Sequence, residues 1–139
     1  SDLILTANHN SLDGAKYYID ELHNLEVTVV KRDAEKDLML LRASRKNKYT
    51  SLGKSAEVLQ EVYIMGYPLG KGRVIVKGSV AETTDTHILV DATVVQGMSG
   101  GGIFDSSARL IGICVRSWGD EDTKFMVAVS VNEIRKFVK

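Results

Sequence analysis

Ser99 sits in Gly97-Met98-Ser99-Gly100-Gly101, and Leu5-Thr6-Ala7-Asn8-His9 and Asp37-Leu38-Met39-Leu40-Leu41 precede it in the chain. A serine hydroxyl is a weak nucleophile near neutral pH. It attacks a carbonyl when a neighbouring imidazole takes its proton and a carboxylate fixes the tautomer of that imidazole and stabilises its cation. Ser99, His9 and Asp37 have the types for these roles: nucleophile, general base and orienting acid. The glycines around Ser99 meet a second demand of the same chemistry. They let the backbone turn tightly, so that the Gly97 and Ser99 N–H groups converge on the oxygen that gains charge in the tetrahedral intermediate. The expected reaction is acyl transfer through a covalent intermediate on Ser99, with a rate rising with pH through about 7 as the imidazole loses its proton. It requires no cofactor and no metal.

Each motif alone is ambiguous. A glycine-rich turn with a serine is a common loop, a single histidine is more often a surface or core residue, and an aspartate beside a strand is more often only solvated. Their joint occurrence in the order His, Asp, Ser, each next to an apolar run, is what points to a hydrolytic site, because the same residue types recur on unrelated folds in other chain orders.

The elements that must carry these residues read as strands. Short β-branched and apolar runs separated by turn residues predict an all-β chain, with strands near Leu3-Ala7, Ala15-Asp20, Glu26-Lys31, Leu38-Arg42, Glu61-Gly66, Arg73-Thr83, His87-Val90, Gly101-Phe104, Leu110-Arg116 and Lys124-Val129. Only the end has helical spacing: Asn132 is expected to cap Glu133 to Lys139, with Ile134, Phe137 and Val138 facing the core. The Gly53 region breaks the strand rhythm and marks the expected boundary between a first half, 1–53, carrying His9 and Asp37, and a second, 54–139, carrying Ser99.

Composition narrows the partners. The 139 residues are 44% apolar, enough for one modest core or two small ones. Lys and Arg number 18 and so do Asp and Glu, giving 18 − 18 = 0 formal charge, so bulk charge does not suggest binding to nucleic acid or to an anionic membrane. No apolar run approaches the ~20 residues that span a bilayer. The single cysteine, Cys114, excludes an intramolecular disulfide.

The three motifs, together with Val62-Tyr63-Ile64-Met65-Gly66-Tyr67-Pro68-Leu69-Gly70 and Val127-Ala128-Val129-Ser130-Val131-Asn132, resemble the trypsin-like, chymotrypsin-fold serine peptidases of the HtrA type over nearly the whole chain. The resemblance implies two antiparallel β-barrels with the catalytic residues in the cleft between them, a short C-terminal helix and a polypeptide substrate. It favours Asp37 over Asp33 as the orienting acid. It also makes Ser117-Trp118-Gly119 the segment that pairs with an extended substrate strand. Thr93 matches the base of the primary specificity pocket, and Met126 is expected to face the same space. Neither is charged, so small or medium aliphatic residues are expected before the cleaved bond. The disulfide-free composition is similar to bacterial or viral relatives, with a periplasmic or virion-associated setting compatible with it.

Two departures from the family pattern matter. Met98 stands where zymogens of the chymotrypsin type carry an acid, so activation by a new N-terminus is not expected; ordering of Val94 to Met98 is the expected route of any regulation. Two strands normally precede the histidine segment, whereas only Ser1 to Ile4 do so here. The first barrel is therefore expected to lack its N-terminal strands, with a longer precursor or another chain supplying them. Two other functions fit the same residues: an inactive peptidase-like module that binds or builds a larger assembly, and an esterase using the same nucleophile.

Overall fold

The computed structural model describes residues 2–10, 17–19, 25–44, 46, 48–68, 72–93, 96–120 and 122–139. The ends of the expected Ala15-Asp20 strand, His23, the Leu69-Gly70 end of the Gly-Tyr-Pro-Leu-Gly turn and Val94-Val95 lie outside the described residues.

Among the described residues, ten strands and one α-helix follow in order. The first four, β1 (Leu3–Ala7), β2 (Tyr17–Ile19), β3 (Leu25–Asp33) and β4 (Leu38–Ala43), form an antiparallel sheet in the order β1-β4-β3-β2. The other six are β5 (Glu61–Gly66), β6 (Val74–Thr83), β7 (His87–Asp91), β8 (Gly102–Phe104), β9 (Leu110–Gly119) and β10 (Lys124–Ser130). They close into a barrel in the order β10-β7-β6-β5-β8-β9. The helix α1 (Val131–Val138) ends the chain. The fold is thus all-β with a closed second barrel and a short C-terminal helix, as expected. The described part of the first half is an open four-stranded sheet with β1 at one edge.

Side-chain alternation along β4 explains why its sequence is apolar throughout. Leu38 and Leu40 face the core shared with the barrel and α1, whereas Met39, Leu41 and Ala43 face a second cluster with Val27 on the other side of the sheet. A strand buried on both faces cannot show the polar alternation of a surface strand. The shared core gathers Ala7 from β1, Leu38 and Leu40 from β4, Ile113, Val115, Val127 and Val129 from the barrel, and Ile134 and Phe137 from α1. It includes Ala7, the last residue of β1, and Leu38, the first of β4. A separate cluster, including Val62, Ile64, Val80, Val90, Ile103 and Met98, fills the barrel.

α1 begins earlier than Asn132. Ser130 occupies the cap position in extended conformation, but its hydroxyl donates to the Asp85 carbonyl at 2.7 Å instead of capping the helix. Asn132 lies inside the first turn and accepts a hydrogen bond from Ser55 at 3.0 Å. Tertiary packing sets this boundary: Val131 is fully buried at the first helical position.

Glu133, also in the first turn, is buried and paired with Lys36 at 3.1 Å and Lys136 at 3.4 Å. The Lys36 ammonium holds its carboxyl below the usual glutamate range; burial opposes this and Lys136 assists it. A carboxylate whose folded value is lowered stabilises the fold at neutral pH, and that contribution is lost as pH falls through the lowered value. Urea denaturation should therefore find Glu133→Gln less stable than the parent at pH 7, with the gap closing under acid conditions. Ile134→Ala, which empties a fully buried site in the shared core, should cost about 2–5 kcal/mol in the same measurement.

Candidate active site

His9 lies in a short 3-10 turn, Asn8–Asn10, immediately after β1. Asp37 is the residue immediately before β4. The two strands are antiparallel neighbours with Ala7 opposite Leu38, so the residues just beyond these ends are held face to face. Asp37 grips His9 twice. Its Oδ1 accepts the His9 backbone N–H at 2.7 Å and its Oδ2 meets His9 Nδ1 at 2.6 Å. Its own carbonyl accepts the Asn8 N–H at 3.1 Å. Asp37 takes up φ +58°, a left-handed conformation that aspartate tolerates better than most residues and that persists where its surroundings determine it. Asp33 is occupied elsewhere: its Oδ1 accepts the Lys36 N–H at 3.0 Å within the β3–β4 turn.

The Ser99 loop docks on the residues flanking His9, Thr6 and Asn10. Asn10 Nδ2 donates to the Ser99 carbonyl at 3.0 Å, and Gly100, at φ +93°, lies so close to β1 that a Cβ there would collide with Thr6 Oγ1 and sit 2.8 Å from Asn10 Nδ2. Gly97 is also left-handed, at φ +97°. The loop is fastened beneath by Gly100 N–H to the Cys114 carbonyl at 2.8 Å, Gly101 N–H to the Met98 carbonyl at 2.9 Å and Cys114 N–H to the Gly101 carbonyl at 2.9 Å. Among the described residues, neither the Gly97 nor the Ser99 N–H is used in these contacts.

The Ser99 hydroxyl donates to the Val115 carbonyl at 3.3 Å. A β-bulge makes this carbonyl available. β9 pairs with β10 as Arg116 with Val127 and then Cys114 with Ala128, leaving Val115 as the extra residue. His9, Gly97, Ser99, Val115, Ser117 and Met126 together line a cleft of about 520 Å³. His9 has a half-exposed side chain there. With Nδ1 directed at Asp37, Nε2 is the ring nitrogen left for the cleft. An apolar groove of about 440 Å³ between β1 and the barrel, lined by Leu3, Leu5, Phe104 and Val138 among others, has no histidine, carboxylate, serine or cysteine in its lining.

Of the expected substrate residues, Ser117 and Met126 line the cleft and are directly paired across β9 and β10. Trp118 does not join them. The next side chain along a strand points to the opposite face, and there Trp118 lies against its cross-strand partner Phe125, with ring centroids 5.9 Å apart. Gly119 pairs with Lys124 at the end of β9, at φ +126°. Thr93 is exposed in the loop after β7 and is not among the residues lining the cleft. Met98, buried within the barrel, occupies the residue before the serine with no charge. Cys114 is buried, and burial pushes its thiol up to about 12, which makes it a packing residue and not a nucleophile. Among the described residues no group of acids, histidines and cysteines has the arrangement of a metal site.

Sequence reasoning missed Asn10, the Val115 carbonyl, and Arg116 and Lys124, which also line the cleft. Asn10 reads as an ordinary turn residue after histidine. A carbonyl exposed by a bulge has no signal in side-chain types.

The family profile described as a trypsin-like peptidase domain matches residues 1–113. The chain belongs to the trypsin-like peptidase family. Within that family it is 32% identical to a protein of Brucella suis named a probable periplasmic serine endoprotease, DegP-like, over 79% of this chain and 24% of that protein. A protein of the same name in Bartonella henselae is 30% identical over 79% of this chain and 25% of that one. The chain spans about a quarter of the length of these curated relatives. Solved structures show the same fold: a serine endoprotease from Yersinia pestis, with a TM-score of 0.87 at 22% identity over 97% of this chain and 52% of that one, and the HtrA-type protease AlgW with a decapeptide, with a TM-score of 0.80 at 24% identity over 96% and 47%.

The close approach of the serine loop to β1 can be tested in this peptidase-family chain. Gly100→Ala adds about 1–2 kcal/mol of left-handed strain to the collision with Thr6. It should lower stability in urea and separate the Ser99 loop from the His9 turn, seen in NMR as loss of the hydrogen bond from the Asn10 side-chain amide to the Ser99 carbonyl.

Proposed function

We propose that the chain is a serine endopeptidase that hydrolyses peptide bonds through Ser99, His9 and Asp37. The observation that carries this reading is the double contact of Asp37 on His9, at 2.7 and 2.6 Å, in the cleft that also holds Ser99. An ionised carboxylate only accepts hydrogen bonds, so Nδ1 carries the ring proton and Nε2 presents a lone pair to the cleft. In the reaction the Ser99 hydroxyl leaves the Val115 carbonyl, its proton passes to His9 Nε2, and Oγ attacks the substrate carbonyl. The Gly97 and Ser99 N–H groups receive the oxyanion. His9 then donates its proton to the leaving amine, and water, activated by the same nitrogen, releases the acyl group from Ser99. Among the described residues the Ser99 hydroxyl bonds to Val115 and not to His9; catalytic hydrogen bonds are commonly loose without substrate and tighten in the complex.

Strand addition supplies substrate binding. Residues 116–119 of β9 run beyond the end of β8, whose partners on β9 stop at Ile113, so their cleft-side backbone edge can take an extended peptide. Met126 and Ser117 are uncharged members of a cleft lining that also includes Arg116 and Lys124; the uncharged pair supports cleavage after small or medium aliphatic residues, and the two cations argue against selection for lysine or arginine. Thr93 has a weaker claim to a part in specificity, being outside the lining. Among the described residues no helix is long and apolar enough to cross a membrane. The names of the relatives support a periplasmic setting.

Cleavage of a peptide library read by mass spectrometry tests the assignment. Ser99→Ala should abolish cleavage, and Asp37→Asn should lower kcat by roughly 10³–10⁴, because an amide no longer enforces the productive tautomer. Aliphatic residues should dominate before the cut. Dominant cleavage after lysine or arginine overturns the specificity, and cleavage by Ser99→Ala at the parent rate overturns the mechanism.

A further inference from the structure

The helix α1 touches the first sheet at two charged points. Lys31 on β3 donates to the Phe137 carbonyl at 2.8 Å and the Lys139 carbonyl at 3.2 Å, and its ammonium lies 5.4 Å from the centre of the Phe137 ring. It thereby satisfies carbonyls that a helix end leaves without partners. A bulge at Val30 precedes it: β3 pairs with β4 as Val29 with Leu41 and then Lys31 with Leu40. At the other end of α1, Glu133 receives Lys36 at 3.1 Å. The Glu133 side chain is only 8% exposed, and a carboxylate so enclosed is tolerated because it is paired and lies in the first helical turn.

Lys36 is the residue before Asp37. Its backbone N–H is fixed by Asp33 and its ammonium by Glu133, so the turn that delivers the acid is held at main chain and side chain together. This matters because Asp37 is left-handed and must keep two oxygens on one histidine. A turn released at Lys36 loses the side-chain anchor nearest to Asp37, and the carboxylate loses its register on the ring.

We propose that Glu133, acting through Lys36, is a positioning residue for the Asp37 carboxylate, and that α1 is a clamp that sets the geometry of the acid and histidine. The catalytic consequence rests on the peptidase reading; the clamp itself does not. The charged and titratable groups concerned are Asp33, Lys36 and Asp37 on the turn, His9 facing it, Glu133 and Lys136 on α1, and on the barrel His87, which feels both Glu133 and Arg116.

An NMR titration of the His9 imidazole in the full chain, compared with Lys36→Met, separates positioning from plain charge; Glu133→Gln is the companion variant, in which loss of the anion and loss of positioning have the same sign. Removing the Lys36 cation by itself favours the protonated imidazole and raises the titration midpoint. Loss of the Asp37 contact has the opposite sign. The clamp predicts a lower midpoint in both variants, together with a roughly tenfold lower kcat at unchanged KM, within what a shift of the order of an ångström produces. The double variant should be no worse than the weaker single variant, because both act through one pair. A raised or unchanged midpoint in Lys36→Met overturns the proposal, even if both variants melt earlier. Lys36 is a third exposed on a turn, so Lys36→Met carries the test should Glu133→Gln not fold. Absence of Ser99-dependent hydrolysis in the unmodified chain counts against the peptidase reading and leaves the titration result standing.

Discussion

One carboxylate holds the first half of the site together. Asp37 meets both the backbone N–H and the Nδ1 of His9, two contacts that together fix the position and rotation of the ring. Charge-assisted hydrogen bonds of this length are about twice as strong as neutral ones, but here their geometric effect is the larger matter. The grip exists only because β1 and β4 are neighbours with Ala7 opposite Leu38, and because Asp37 accepts a left-handed backbone. Everything that fixes those strands, from the buried faces of β4 to the packing of α1 on Leu38 and Ala7, acts on the site.

The barrel supplies Ser99 from a different part of the chain. Two devices bring the halves into register: the near-contact of Gly100 with Thr6, which leaves no room for a side chain, and the hydrogen bond from Asn10 to the Ser99 carbonyl. Below them the shared core makes the sheet, the barrel and the helix one packed unit. The bulge at Val115 turns a ladder carbonyl toward Ser99 and holds its hydroxyl at the mouth of the cleft. Bulges near active sites re-aim groups in this way.

Much of this was readable from the chain because strand ends and residue types carry local information. β5 coincides with the apolar run Glu61–Gly66, and β1 with Leu3–Ala7, because each has one clear periodicity and a polar or glycine boundary. His9 and Asp37 could be chosen because each adjoins such a run. Features set through space were hidden. The bulges at Val30 and Val115 depend on the partner strand, and β9 continues to Gly119 because β10 pairs with it beyond Arg116. Ser130 replaces Asn132 at the helix start because Val131 is needed in the core. Trp118 falls on the far side of β9 from Ser117 by simple alternation. The lesson is that side-chain chemistry can be read along a chain, whereas the direction of a carbonyl or the face of a sheet is decided by what lies across from it.

The proposed hydrolysis requires that Ser99 be an activated nucleophile. Reaction of the intact chain with a fluorophosphonate, followed by mass mapping of the adduct, addresses that requirement. A single phosphonyl group on Ser99, absent from Ser99→Ala and strongly slowed in Asp37→Asn, is the predicted result. Equal labelling of the chain and of Ser99→Ala, or no labelling of either, would contradict it and leave a peptidase fold without its chemistry.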